Sequence, residues 1–267
     1  MATNQVSLPP SLEDARIHGL PSAAYYIPDF ISEEEEHFIL GKIAGAPKPR
    51  WKQLTHRRLQ TWPSDLVQNR LLDSPLPEWL ENPVVSRILS LSTVKSDGGS
   101  KPGPDLEPEH IFAQSPHRRP NHVLINEYPP GVGIMAHKLS IWLYNVDGAA
   151  YWPVVCTVSL GASLCLNLHR NRDDGALDPV PAWRILQEPR SLLITTDDLY
   201  TDYLHGIADI EEDLDLSADT VVNWSTLRCS QQFADGRNVR QTRTSLTYRD
   251  VLKVSRMGNK LGMFSRR

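Results

Sequence analysis

The chain has 267 residues, 40% of them hydrophobic, enough to bury a sizeable core in one elaborated domain. A formal net charge of -4 excludes a globally basic phosphate binder, so any nucleic-acid surface has to be local. Three cysteines without metal-ligand spacing, Cys156, Cys165 and Cys229, read as reduced thiols and not as a disulfide framework; two of them fall in strand-like runs. With no apolar leader and no apolar run of membrane-spanning length, the expectation is a soluble protein of nucleus and cytoplasm that does not engage a membrane.

In chain order, YYIPDF (25–30) predicts a short strand. SEEE (32–35) then matches a capping box, in which Ser32 caps a helix and Glu35 bonds back to it. That helix is predicted to run from about Glu33 to Ala44, with Phe38, Ile39 and Ile43 as its apolar stripe and Glu33 to Glu36 as a solvated acidic start. The segment KPRWKQLTHRRLQTW (48–62) interleaves basic residues with Trp51 and Trp62. It reads either as a substrate lid, with Arg57 and Arg58 on phosphates and Trp62 stacking on an unpaired base, or as buried tryptophan anchors among solvated charges. A further helical pattern surrounds Trp79, Val84, Val85 and Ile88. The Gly-, Pro- and Ser-rich stretch 96–120 predicts a flexible loop that separates this helical N-terminal part from a β-rich remainder.

From Asn121 onward short alternating runs follow quickly: NHVLINEY, YWPVVCTVSL, SLCLNL, WRILQ, SLLITT and RTSLTYR. Broken by Pro and Gly turns, they predict an antiparallel sandwich or jelly roll. The division is therefore a helical extension and lid at 1–95, a loop at 96–120, a jelly-roll core at 121–252 and a basic tail at 253–267, in an α+β fold. The acidic stretch 209–219 reads as a charged surface loop. His110, His117, His122 and His169 read as solvated or locally bonded.

Within the β-rich half, His137 follows a strand and a Pro-Gly turn, His205 follows SLLITTDDLYTDYL, and an arginine pair sits in RTSLTYR. Two histidines and a carboxylate on one face of a β-barrel form the ligand set of non-haem Fe(II) oxygenases, whose open positions take cosubstrate and dioxygen. Arg243, Ser245, Thr247 and Arg249 fall on one face of a strand by its period of two, so both arginines can point inward.

On these residues the chain resembles the AlkB family of Fe(II)- and 2-oxoglutarate-dependent dioxygenases, and most closely its homologue 6 subgroup. The strings YYIPDFISEEEE, AGAPKPRWKQL, RRLQTW, NEYPPGVGIMAH, VSLG, EPRSLLI, LHGI and RTSLTYR look like that subgroup in the same order, over nearly the whole chain. The resemblance implies a double-stranded β-helix, Fe(II) and 2-oxoglutarate as cofactor and cosubstrate, and oxidative demethylation of alkylated nucleic acid. It also implies His137, Asp147 and His205 as metal ligands, and Asn126, Tyr128, Arg243 and Arg249 as contacts of 2-oxoglutarate. Guanidinium suits a buried dianion because it offers fixed charge and bidentate donors.

The chain departs from the family at the carboxylate. The pattern expects His-x-Asp, whereas nine residues, KLSIWLYNV (138–146), stand between His137 and Asp147. Three arrangements account for this: the insert loops out and Asp147 still ligates, the insert displaces Asp147 and weakens or abolishes iron binding, or the insert is retained noncoding sequence. The first is open because loop closure over such a length is not costly in itself. The second implies a catalytically inactive nucleic-acid-binding protein on the same fold. A third function keeps the enzyme and makes a protein side chain its substrate.

Overall fold

A computed structural model describes residues 6–21, 23–94, 109–138, 150–172 and 175–255. In chain order the strands are β1 (Ala24–Ile27), β2 (Lys52–Gln53), β3 (Arg58–Trp62), β4 (Leu71–Leu72), β5 (His122–Tyr128), β6 (Ile134–Lys138), β7 (Val154–Leu160), β8 (Leu164–His169), β9 (Trp183–Gln187), β10 (Leu192–Thr196), β11 (Leu204–Ile207), β12 (Glu212–Asp213), β13 (Asn238–Val239), β14 (Arg243–Arg249) and β15 (Val254–Ser255). The helices are α1 (Glu33–Ala44), α2 (Glu78–Leu80), α3 (Ser86–Ser90) and α4 (Asp197–Thr201). A seven-stranded sheet in the order β1-β10-β7-β14-β5-β3-β2 and a four-stranded sheet in the order β6-β11-β8-β9 make up the body of the fold. Side chains of both line one cavity, giving the α+β jelly roll that the alternating runs predict.

Period-two alternation divides the larger sheet into two faces of different character. Outward-facing Val123, Ile125, Cys156, Val158, Leu246 and Tyr248 join the main core with Phe30, Ile39, Leu80, Val84 and Ile88 from the helical layer. The opposite face carries the polar residues of β5 and β14 toward the cavity. All seven residues of β14 are consequently buried, since helices cover one side of it and the second sheet the other. Beside the cavity, the space between the sheets is filled by Tyr26 and Leu193 against Leu168 and Ile185, and elsewhere by Tyr128 against Leu164 and Ile207.

Helix α1 starts where the capping box predicts. The Ser32 hydroxyl accepts from the Glu35 amide at 3.2 Å, and the Glu35 carboxylate accepts from the Ser32 amide at 2.8 Å. Its buried stripe is narrower than the pattern suggests: Ile39 and Ile43 are in the core, whereas Phe38 is 53% exposed, a step of about 100° around the helix. Glu36 departs from the solvated acidic start as well. It is buried, accepts from the Gly161 amide at 2.7 Å and pairs with Arg190 at 3.1 Å, which fastens the helix to the β7–β8 turn.

Three further expectations change. Residues 1–95 are not helical throughout, because β1 pairs with β10 at one edge of the larger sheet and β3 pairs with β5 toward the other. Of the loop predicted at 96–120, the described part is held in place: Phe112 is fully buried and His117 meets the buried Asp250 at 2.6 Å. Nor is the acidic stretch 209–219 only a solvated loop, since Asp213 is 1% exposed and grips Arg240 at 2.6 Å. Within the basic C-terminal segment, β15 pairs in parallel with β4, and Arg256, Lys260, Arg266 and Arg267 lie outside the described residues.

Candidate active site

His137 and His205 arrive at the cavity from neighbouring strands. The first lies inside β6 and not just beyond a strand, and the second lies in β11, directly opposite it in the ladder. Their approach depends on glycine: a Cβ on Gly133 would collide with the Ile207 carbonyl oxygen, so only the bare backbone lets β6 enter the pair at this distance. The Gly133 amide donates to the Asp209 carboxylate at 2.7 Å, which closes the turn. His137 Nδ1 donates to the Met135 carbonyl at 2.8 Å and His205 Nε2 donates to the Leu199 carbonyl at 2.6 Å.

A carbonyl can only accept, so each contact fixes the tautomer and leaves the other ring nitrogen with its lone pair. Burial lowers the pKa of both rings, that of His205 to about 4, so each is held in the neutral form that binds metals. An imidazole whose second nitrogen is anchored to backbone is the support expected around a metal ligand. Among the described residues no third His, Cys, Asp or Glu completes a metal-binding group. Asp147, the carboxylate expected from the sequence, lies outside the described residues.

The cavity floor is a ladder of cross-strand pairs between β14 and β5: Arg243 opposite Tyr128, Ser245 opposite Asn126, Thr247 opposite Leu124 and Arg249 opposite His122. A guanidinium therefore stands at each end, and both arginines are at least 95% buried. Arg243 donates to Ser159 Oγ at 2.8 Å and to Gln187 Oε1 at 3.1 Å, and Arg249 lies over the Tyr151 ring at 4.8 Å. Burial drops the Arg243 pKa to about 10, which still leaves it charged at neutral pH. Neither arginine has a carboxylate within ion-pair distance among the described residues, and the Nε of each is buried without a partner. Buried charges are normally paired, as Arg240 is with Asp213, so two unpaired guanidiniums facing one cavity suit a ligand with two acid groups.

The residues predicted from sequence divide on this geometry. His137, His205, Asn126, Tyr128, Arg243 and Arg249 all line the same cavity. Arg57 reaches it too, its Nε lying 3.5 Å from Asn126 Oδ1. Arg58 and Trp62 do not join them. They pair in register with Glu127 and Val123, on the sheet face opposite Asn126 and Leu124, so the period of two turns them away from the cavity. Arg58 forms an ion pair with Glu127 at 2.7 Å and covers Trp51, while Trp62 is wedged between Arg50 and the edge of Trp79. The tryptophans are anchors of the sheet edge.

Three polar cavity residues escaped the sequence reading: Thr157, Gln187 and Thr195, each inward-facing on its strand. Only the inward phase of β7, β9 and β10 could have signalled them, and phase is set by the partner strands. His122 was also misjudged. It is 2% exposed and neither ring nitrogen reaches full hydrogen-bond geometry with a neighbour among the described residues.

A jelly roll with a facing histidine pair on one sheet and a pair of buried, unpaired arginines on the other defines the class of 2-oxoglutarate and Fe(II) oxygenases. No protein-family model matches the chain. A zebrafish (Danio rerio) protein described as probable RNA/DNA demethylase ALKBH6 is 36% identical over 257 residues, covering 94% of this chain and 95% of the relative. An uncharacterized protein, L905, of Acanthamoeba polyphaga mimivirus is 24% identical over 238 residues, covering 85% of this chain and 84% of its own. Among solved structures, OsALKBH1 aligns with a TM-score of 0.49 at 15% identity, over 87% of this chain and 100% of that one. A 2OG-Fe(II) oxygenase family oxidoreductase from Burkholderia pseudomallei aligns with a TM-score of 0.46 at 11% identity, over 87% and 88%. The chain belongs to the AlkB family of 2-oxoglutarate and Fe(II) oxygenases, a family that uses Fe(II) and 2-oxoglutarate.

Proposed function

We propose that the protein is an Fe(II)- and 2-oxoglutarate-dependent dioxygenase that removes alkyl groups from nucleic acid. The observation that carries this reading is the pair of buried arginines without carboxylate partners, set across the cavity from two neutral histidines. His137, His205 and Asp147 would hold the metal. Arg243 and Arg249 would take the two carboxylates of 2-oxoglutarate, with Tyr128 and Asn126 along its chain. When bound, iron would activate dioxygen, the oxidant, which takes two electrons from 2-oxoglutarate as it becomes succinate and carbon dioxide and two from an N-alkyl C–H bond, and the hydroxylated alkyl group would leave as an aldehyde.

The chain's own residues do the rest. Ser159 and Gln187 orient Arg243 without neutralising it, so its charge stays available to a ligand. The two sheets exclude water from the diacid, which strengthens each charge contact. Arg57, at the rim beside Asn126, is placed to meet the phosphate of an incoming strand. Nucleic acid as substrate class is supported by the zebrafish relative, a probable RNA/DNA demethylase. Reduced thiols agree with a nuclear and cytoplasmic setting: Cys156, Cys165 and Cys229 are all free.

The test is succinate formation by purified protein given Fe(II), 2-oxoglutarate and N-methylated single-stranded oligonucleotides. Succinate above background that rises with the methylated strand is expected. Its absence from protein with proven iron loading, with or without oligonucleotide, overturns the reading. The spacing of His137 and Asp147 favours a second reading, a binding protein without turnover. That reading predicts salt-sensitive binding of single strands with no measurable metal affinity. Methylated peptides in the same assay separate the protein-side-chain alternative.

A further inference from the structure

The two ends of the cavity floor differ in how they hold their arginine. At one end Arg243 is oriented by two uncharged acceptors, Ser159 Oγ and Gln187 Oε1. Such partners suit a guanidinium that must bind an acid, because an anionic partner would already occupy its charge. At the other end Arg249 is buried, and its Nε–H has no partner among the described residues. Directly across the ladder stands His122, on the same inward face by alternation, where facing side chains lie about 5 Å apart at Cβ. His122 is 2% exposed; the Ser64 backbone stands near its ring, and neither ring nitrogen reaches full hydrogen-bond geometry with a neighbour among the described residues. Unsatisfied buried groups on adjacent, facing residues call for a common explanation, since a buried polar group left without a partner is costly.

The surroundings of His122 narrow its role. Arg249 and burial both disfavour a proton on the ring, whereas the Ser64 backbone and the Asp65 carboxylate favour one; Asp65 itself is engaged by Lys52 at 2.5 Å. Tyr151 lies 6.0 Å from the ring between centroids and also faces Arg249. We propose that His122 is a positioning residue for Arg249: its imidazole accepts from the guanidinium Nε–H through one water, and so fixes the direction in which Arg249 presents its terminal nitrogens to a carboxylate. Within the cosubstrate site proposed above, on which this inference rests, His122 would do for one carboxylate what Ser159 and Gln187 do for the other. It touches neither metal nor diacid in this role.

The experiment measures 2-oxoglutarate affinity by calorimetry on full-length, iron-free protein, so that turnover is not needed. Wild type should bind, and Arg243→Ala should lose most of that binding. His122→Phe keeps a ring but removes the acceptor and should weaken binding roughly tenfold, the scale of one hydrogen bond to a charged group. His122→Gln restores an acceptor and should return affinity to within about threefold of wild type. His122→Leu reads the same loss as His122→Phe should the larger ring fail to pack. A purely structural role predicts that all His122 variants shift the melting temperature while affinity in the folded fraction is unchanged, and that result overturns the inference. So does a His122→Gln variant that binds as poorly as His122→Phe. Wild-type protein that binds no 2-oxoglutarate sinks the cosubstrate site and this inference together, whereas binding that Arg243→Ala abolishes and His122→Phe spares sinks this inference alone.

Discussion

Desolvation acts on three buried ionisable side chains around the cavity floor, and they respond in two ways. His122 and His205 can shed a proton, and burial takes the pKa of each to about 4. Arg243, which burial takes only to about 10, cannot do so near neutrality, so it keeps its positive charge on the cavity floor while the histidines stay neutral. A stability consequence follows with a definite sign. In the unfolded chain each histidine takes up a proton near pH 6.5, whereas in the folded chain it does so only near pH 4. Between those values the unfolded state binds more protons, so this contribution is complete above about pH 6.5 and is lost as pH falls toward 4. Each histidine should remove up to about 1.4 kcal/mol per pH unit across that window. Denaturant melts at pH 7, 6 and 5 are expected to show falling stability, with a shallower slope for His122→Gln; an equal slope in that variant would mean that folding does not lower the His122 pKa.

Elements set which residues meet, and glycine at one position governs how closely. Gly133 lets β6 approach β11 so that His137 and His205 face each other, since any side chain there would strike the Ile207 carbonyl. Gly133→Ala is therefore expected to push the two strands apart, lower stability by about 1–3 kcal/mol and abolish tight binding of a divalent metal by the histidine pair. Cobalt(II) titration followed by visible absorption checks this, and unchanged affinity would show that the pairing tolerates a wider gap. Such pairings also explain what was legible from sequence. Strands β5, β7, β8, β9, β10 and β14, the start of α1 and the inward phase of Arg243 and Arg249 follow from alternation and a capping box, which are local, whereas β6 and β11, which carry the two histidines, were not read as strands. The two readings left open for Arg58 and Trp62, and the burial of His122, turn on the register of β3 and β14 against β5, which no local pattern records. Glu36 and Asp213 were read as solvent-facing for the same reason: their partners, Gly161 and Arg240, are distant in sequence.

At the scale of the whole molecule, an acidic chain with a net charge of -4 carries a cavity with two unpaired buried cations. That contrast favours recognition of a small dianion inside and leaves nucleic-acid contact to a local rim around Arg57. Metal retention turns on the relation between His137 and Asp147, where nine residues stand in place of one. If Asp147 serves as a ligand, bringing it back to His137 closes a loop whose entropy grows as (3/2)RT ln n. Lengthening the connection from one residue to nine then costs about 2 kcal/mol, before any cost of exposing the apolar side chains that KLSIWLYNV contains. Deleting residues 139–146 restores His-x-Asp, which puts both side chains on one face of an extended strand. The deletion variant is expected to bind manganese(II) or cobalt(II) roughly tenfold or more tightly than the full chain, and to form succinate faster in proportion to its metal occupancy. Equal affinity in the two proteins would show that the full chain already holds its carboxylate ligand in place; metal binding confined to the deletion variant would make the intact chain a protein whose arginines still hold 2-oxoglutarate but whose histidines alone cannot retain iron.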